Sequence, residues 1–421
     1  MDFVDTYLTK HTVRPLIKEP PHPHLNICII IPCFNEPDLI RTLESVYHCQ
    51  RPVYATEVIV VVNAPANAPA MVVENNKITL QKATVWINTH DDQRLRFHLI
   101  YRPDLPEKTA GVGFARKIGM DEAVIRLHQV NNHRGVMISL DADATCEANY
   151  LTETENHFQK FPKTQGASVY FEHPIEGNEF EPEIYKGITL YELHLRYINQ
   201  AFRYVNHPHA YHTIGSSFCV RMDAYVKQGG MNKRQAGEDF YFLQKIISLG
   251  NYSEINSTCI IPSPRISDRV PFGTGRAIKH FVTDSDFKTY SLDAFIDIKS
   301  LLEQLNNLYN GNKDNALQIV ASLALPLREF LEINSFLLEW ESVMANSASL
   351  SAFRNRFFKW FNAFKVIKYL NYTAEKYCEQ KDVMQEARKL LVNLGLKLPS
   401  DNASDLLKYY RTLDRTEFGI I

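Results

Sequence analysis

The sequence predicts an α/β fold with a mostly parallel sheet over its first two-thirds and an α-helical region beyond. Three observations carry that expectation. Runs that are apolar throughout, such as Ile27–Ile31 and Val58–Val62, alternate with segments of helical periodicity. That is how strands covered on both faces of a parallel sheet are written. From about Thr283 the strand signals fade and helical spacing takes over. The composition, 45% hydrophobic and 22% charged over 421 residues, is that of a globular protein of two or three domains.

Taken in order, residues 1–24 form an N-terminal extension whose EPPHPH stretch reads as a stiff, extended lead-in. Leu25–Ile31 reads as the first strand, stopped by Pro32, and Pro37 suits the first turn of a helix reaching Tyr47. Glu57–Val62 and Arg96–Tyr101 read as strands, Val112–His128 as a helix, and Gly135–Leu140 as the next strand. Helices follow near Ala148–Lys160 and Ile184–Tyr204, with strands at Ala167–Phe171 and Ser217–Arg221 and a helix opening near Glu238. Leu301–Tyr309, Ala316–Met344, Phe353–Glu379 and Met384–Leu394 carry helical periodicity, with a break or kink expected at Pro326 and a stop at Gly395. The expected domains are residues 25–283 and 284–421. No internal repeat is visible.

A formal charge of −2, from 46 Lys+Arg against 48 Asp+Glu, argues against nucleic-acid binding by global basicity. No run approaches the roughly 20 apolar residues of a membrane-spanning helix, and MDFVDTYLTK lacks the charge and apolar core of a secretory signal. Seven scattered cysteines without a C-x-x-C read as thiols in a reducing compartment. The expectation is a cytoplasmic protein.

Chemistry is suggested at three places. Asp141-Ala142-Asp143 follows directly on a strand, and in a parallel sheet ligands bind beyond the carboxyl ends of the strands. Two carboxylates one residue apart repel unless they share a cation such as Mg²⁺ or Mn²⁺, although a D-x-D is also an ordinary capping or turn element. Pro32-Cys33-Phe34-Asn35-Glu36 ends the first strand and offers short polar groups to a nucleotide, or simply a helix cap at Asn35. Gly237-Glu238-Asp239 opens a helix. Its acids either complement the helix dipole or supply a general base.

In this order the segments resemble family 2 glycosyltransferases of the GT-A fold, a Rossmann-like sheet that handles nucleotide-diphospho-sugars. IIIPCFNEPDLIRTLESV resembles the opening strand and nucleotide turn, GVGFARKIGMDEA the helix before the D-x-D, and VMISLDADA the metal motif. IGSSFCVRMDAYVKQGGMNKRQAGEDFYFLQKIISLG resembles the acceptor-side segment, so the similarity spans about residues 25–262. The resemblance implies that Pro32, Asn35, Glu36 and Asn63 line the nucleoside pocket. It implies Asp141 near ribose and metal, Asp143 as direct ligand of Mn²⁺ or Mg²⁺, and Asp239, with Glu238 beside it, as the base for inverting transfer to a carbohydrate or lipid-linked acceptor. Asn63 stands where the family often has an aspartate, which leaves the donor's base open. Transmembrane helices and a Q-x-x-R-W-type motif are absent from the sequence, which points to single additions.

Further basic and aromatic groups have two readings each. Arg116 and Lys117, after Gly111 and Gly113, either contact phosphates or are solvated. The Arg- and Gly-rich stretch 264–276, with Arg269 and Arg276 around Gly-Thr-Gly, favours a flap over a diphosphate rather than an ordinary loop. His280 is either a further metal ligand or, as isolated histidines more often are, structural. His207, His209 and His212 lack the companions of a zinc site. The acid-free stretch 353–368 is either a core face or a peripheral contact with the inner face of a membrane. Beside an inverting transferase stand a retaining transferase or nucleotidyltransferase on a similar scaffold, and a non-catalytic sugar- or nucleotide-binding scaffold.

Overall fold

The computed structural model describes residues 2–90, 92–232, 237–267, 273–284 and 286–416. The chain divides into two compact units, residues 1–185 with 213–279, and residues 186–212 with 280–421. The extension 1–24 is thus part of the first unit, and residues 186–212 join the second.

The elements leading to the first half of the sheet are α1 (Phe3–Lys10), β1 (Leu25–Cys33), α2 (Leu39–Tyr47), β2 (Ala55–Pro65), α3 (Ala70–Thr89), β3 (Leu95–Leu105), α4 (Val112–Gln129) and β4 (Val136–Ser139). There follow β5 (Thr145–Cys146), α5 (Tyr150–Lys160), β6 (Gly166–Phe171), α6 (Pro182–Tyr204), β7 (Phe218–Arg221), α7 (Met222–Lys227), α8 (Glu238–Ile247), β8 (Tyr252–Ile261) and α9 (Thr274–Asp284). The sheet order is β3-β2-β1-β4-β7-β6-β8-β5. Pairing is parallel from β3 to β4 and between β6 and β8, while β7 and β5 run against their neighbours. The sheet is mostly parallel and Rossmann-like, as the sequence predicts. β1, β2 and β4 are buried on both faces, which accounts for their unbroken apolar runs.

Pro32 does not end β1. Beyond Ile30, whose partner is Ser139 on β4, β1 pairs with β2 alone, so a missing donor on the other side costs nothing. α4 packs close to the sheet because Gly119 has no side chain: a Cβ there would lie 2.6 Å from Ile30 Cγ2. Nearly every α4 residue from Gly113 to Leu127 is buried, its ionic ones included. Arg126 pairs with the fully buried Glu57 of β2. Glu122 accepts the backbone N–H groups of Leu16 (2.8 Å) and Ile17 (3.3 Å), and Arg126 donates to the Glu19 carbonyl at 2.9 Å. The proline-rich lead-in is therefore stitched to α4 and β2 by buried polar groups, which supply hydrogen bonds its own backbone cannot.

The second unit continues with β9 (Lys288–Thr289), α10 (Leu292–Glu303), α11 (Leu305–Asn310), α12 (Lys313–Ser322), α13 (Leu325–Ile333), α14 (Phe336–Ala345), α15 (Leu350–Trp360), α16 (Ala363–Lys376), β10 (Lys381–Asp382), α17 (Val383–Asn393) and α18 (Ala403–Arg415). It is helical apart from the two-residue pair β9–β10. Pro326 sits in the first turn of α13, where its missing N–H has no intrahelical role. The stretch expected as one helix over 353–379 is two, because Asn362 caps α16 by accepting the Lys365 N–H.

That break decides the aromatic-basic segment. Phe353, Phe357 and Phe361 are buried, and Lys365 donates to Asn334 at 3.0 Å, so the aromatic face is core, the first of its two readings. No helix among the described residues is long and apolar enough to cross a membrane. The histidine cluster is likewise structural: burial pushes His207 down to about 3 with its Nε2 2.9 Å from the Phe361 carbonyl, and His212 reaches Asp414 at 2.9 Å.

Candidate functional site

β4 ends at Ser139, and the chain turns at once: the Ala144 N–H donates to the Asp141 carbonyl at 3.1 Å. Ala142 is buried, and its carbonyl accepts the Thr42 hydroxyl of α2 at 2.9 Å. With the middle residue tucked in, the flanking carboxylates of Asp141 and Asp143 are left 39% and 28% exposed at the carboxyl end of a parallel strand.

Arg116, from the first turns of α4, lies behind Asp141. It donates to Asp141 Oδ1 at 2.9 Å and to Glu238 Oε1 at the start of α8. Burial alone would lower its pKa, but Glu238, Asp141 and Asp239 together hold it raised. Gly215 closes this group from above: a Cβ there would lie 2.9 Å from the Arg116 guanidinium and 3.1 Å from Asp239 Oδ2. The Gly215 and Phe240 backbone N–H groups both hydrogen-bond to the Asp239 carboxylate, the latter at 2.7 Å.

The two neighbouring acids differ in environment. Glu238 is buried, with 2% of its surface exposed, and that desolvation pushes its pKa up to about 7 against the pull of Arg116. Asp239 is also raised, by burial first and by the negative charge of Asp141, while Arg116 and its two N–H donors oppose the shift. These groups titrate as a coupled set. The arrangement holds a carboxylate poised to gain or lose a proton nearer neutrality than an ordinary surface acid.

Arg265 makes a second cluster on the other side of the D-x-D. Its guanidinium donates to Glu36, whose carboxylate is buried, and contacts Asp143 Oδ2 at 2.7 Å. Burial would lower its pKa, yet Glu36 and Asp143 hold it above the usual value. Glu36 also receives the Asp38 N–H at 3.0 Å and, at its carbonyl, the Thr79 hydroxyl at 2.9 Å. The carboxylate expected to face a nucleoside is thus committed to an arginine from the 264–276 stretch. Among the described residues of that stretch, Arg265 is the arginine that reaches the acids. Arg269 lies outside the described residues, and Arg276 is exposed on α9.

The turn of Asn35 and the end of β2 at Asn63, expected to line a nucleoside pocket, are drawn together by a residue that the sequence did not single out. Asn76 of α3 is fully buried; its Oδ1 accepts the Asn35 N–H and its Nδ2 donates to the Asn63 carbonyl, both at 2.9 Å. Asn35 adopts a left-handed conformation, φ 51°, which asparagine tolerates, and Asn75 donates to its side chain at 2.9 Å. Pro32 lies on β1 just before this turn, and Asn63 lies on β2 with its buried Oδ1 lacking a hydrogen-bond partner among the described residues.

Two expectations change. Arg116 is not a surface phosphate contact; it is enclosed and neutralised by three acids. Lys117, expected at a phosphate, points its ammonium at Asp121 (2.8 Å) and the Tyr7 hydroxyl (3.0 Å), both buried. Helical geometry is the cause, since successive residues face about 100° apart and only one of the pair can look toward the strand ends. His280 is exposed on α9 and belongs to the second unit.

The fit to Mn²⁺ or Mg²⁺ rests on Asp141 and Asp143. Two partly exposed carboxylates suit an ion that is held by one or two acids, water and substrate phosphates rather than by a full protein cage. The guanidiniums of Arg116 and Arg265 each cover one oxygen of this pair. A small cavity of about 20 Å³ adjoins Asp143 beside Arg41, Thr145 and Glu179. A wider cleft of about 510 Å³, lined by Ile17, Pro20, Pro21 and Val130, lies past the C-terminus of α4 and holds none of the site residues.

No protein-family model matches the sequence, and a comparison with curated proteins finds no match. Among solved structures, the chain is similar to Staphylococcus aureus TarS residues 1–349 in complex with UDP-GlcNAc, at 13% identity and a TM-score of 0.40, covering 89% of this chain and 93% of that one. The same TarS fragment with UDP matches at 14% identity and a TM-score of 0.39, over 82% and 90% of the two chains. The mannosyltransferase PcManGT from Pyrobaculum calidifontis, with GDP-Man and Mn²⁺, matches at 15% identity and a TM-score of 0.36, over 86% and 94%.

Proposed function

We propose that this protein is a metal-dependent, inverting, family 2-type glycosyltransferase that moves a sugar from a nucleotide-diphospho-sugar to an acceptor hydroxyl. The observation that carries the reading is Arg116. One buried guanidinium spans Asp141 of the D-x-D and Glu238 of the acceptor-side motif, so segments nearly a hundred residues apart in the chain form one site at the strand ends.

Asp141 and Asp143 would hold Mn²⁺ or Mg²⁺, which supplies positive charge against the departing nucleoside diphosphate. Asn35 and Asn63 sit together through Asn76 and would line the nucleoside side, where the buried Oδ1 of Asn63, without a hydrogen-bond partner among the described residues, suits an N–H of a base. Asp239 accepts the proton of the acceptor hydroxyl. The hydroxyl oxygen then bonds to the anomeric carbon as that carbon's bond to the diphosphate oxygen breaks, and the electron pair leaves with the diphosphate. Gly215 and Phe240 fix the base through its N–H donors, and Arg116 holds its charge in check.

The test separates binding from turnover. Asp143→Ala abolishes Mn²⁺-dependent donor binding, whereas Asp239→Asn spares donor binding and lowers kcat by about 10²–10⁴-fold, the usual worth of a positioned base. Full transfer by Asp239→Asn would refute the base assignment, and a product of retained configuration by NMR would refute inversion.

A further inference from the structure

A second group of ligand-type side chains lies at the opposite end of β4 from the D-x-D. Asp2 caps α1, His128 is in the last turn of α4, and His133 stands in the loop just before β4. Their Oδ2, Nδ1 and Nε2 atoms converge: His128 Nδ1 to His133 Nε2 is 3.1 Å, His133 Nε2 to Asp2 Oδ2 is 3.4 Å, and His128 Nδ1 to Asp2 Oδ2 is 3.9 Å. Ligand atoms at about 2.0–2.1 Å from a tetrahedral ion stand about 3.3 Å apart, so this triangle is close to the right size.

The surroundings prepare it. Asp2 uses Oδ1 to accept the Phe3 N–H at 2.6 Å, which turns Oδ2 toward the two rings. Asp5 Oδ1 lies 3.2 Å from His128 Nε2. A carboxylate there holds the proton on Nε2 and leaves the Nδ1 lone pair toward the centre, the usual carboxylate–histidine–metal support. The C-terminal end of α4 adds a partial negative charge. Both rings are only partly buried, with side chains 26% and 35% exposed, so an ion has a path in and a solvent-side fourth position.

We propose that Asp2, His128 and His133 form a site for a borderline transition-metal ion of the Zn²⁺, Co²⁺ or Ni²⁺ class, with Asp5 as outer support, that clamps α1 onto the end of α4. Imidazole donors select this class over Mg²⁺ and Mn²⁺, which separates the site from the D-x-D in chemistry as well as position. The clamp adds to contacts α1 already makes with α4, among them the Tyr7 hydroxyl on Asp121 at 2.7 Å and Lys117 on the Tyr7 hydroxyl at 3.0 Å. The inference is independent of sugar transfer.

The test uses the full chain, stripped with a chelator and titrated with Zn²⁺ against a chromophoric competitor, and with Co²⁺ by visible absorption. The Asp143→Ala variant is run in parallel to silence the D-x-D. Both proteins are expected to bind one Zn²⁺ per chain with the Co²⁺ form showing a tetrahedral band, and hydrogen exchange of residues 3–10 to slow on binding. His133→Gln, in a loop, should weaken Zn²⁺ on the order of 100-fold, and Asp5→Asn about 10-fold. Stoichiometric binding unchanged in His133→Gln would overturn the proposal. So would absence of binding at 100 μM Zn²⁺ in a natively folded protein, which would make the triangle a plain hydrogen bond from His133 Nε2–H to His128 Nδ1.

Discussion

Glu238 and Asp239 are neighbours in sequence with different fates, and the difference is measurable. Glu238 is enclosed with Arg116, and desolvation raises its pKa from 4.5 to about 7. The folded state therefore holds a proton that the unfolded chain releases near 4.5, so this contribution to stability is fully present below that value. It is lost as pH rises toward 7, because the unfolded state binds fewer protons across the window. The urea midpoint of the wild type is expected to fall between pH 5 and 7.5, and that fall to shrink in Glu238→Gln. An identical pH dependence in the variant would place the source elsewhere. The residue type alone carried no hint of this, since acids in a helix's first turn are commonplace; burial beside Arg116 makes the distinction.

Among the elements, α3 shows best why a sequence hides part of a site. Its buried positions Asn76, Thr79, Ala83 and Trp86 follow helical spacing, but the first two are polar and break the apolar pattern. Those two reach the Asn35–Glu36 turn and the end of β2. Asn76→Ala leaves the Asn35 N–H without its acceptor and is expected to cost about 1–3 kcal/mol, read from urea unfolding. Donor affinity should fall with it, because the Asn35 turn loses its tether; a stable variant with unchanged affinity would detach α3 from the site. β8 escaped for a similar reason, its Ser, Glu, Asn and Thr residues diluting the strand signal. α1 buries only Val4 and Tyr7, too few for a recognisable stripe. Of the strands that were legible, β1, β2, β4, β6 and β7 are buried along nearly their whole length, and β3 is half-buried.

For the whole molecule, donor choice is the open property with a direct assay. A ligand that binds only the folded state at a hundred times its Kd adds about 2.7 kcal/mol of stability. One of the UDP-, GDP- or dTDP-sugars is expected to raise Tm by several degrees with Mn²⁺ and much less without it, while Asp143→Ala abolishes the difference; no shift with any of the three, metal present, would count against the transferase reading. The α/β class, the parallel strands and the change to helices near residue 283 were determined by the sequence itself, because burial on two faces demands continuous apolar runs and helix packing demands a 3.6-residue period. So was the D-x-D, which adjoins such a strand. Tertiary structure alone decided that Arg116 is enclosed by acids while Lys117 faces Asp121, that Arg265 is the arginine on Asp143, and that residues 186–212 join the helical unit. Those outcomes depend on which distant groups meet in a desolvated space, and the energy of a buried charge is set by its partners rather than by its place in the chain.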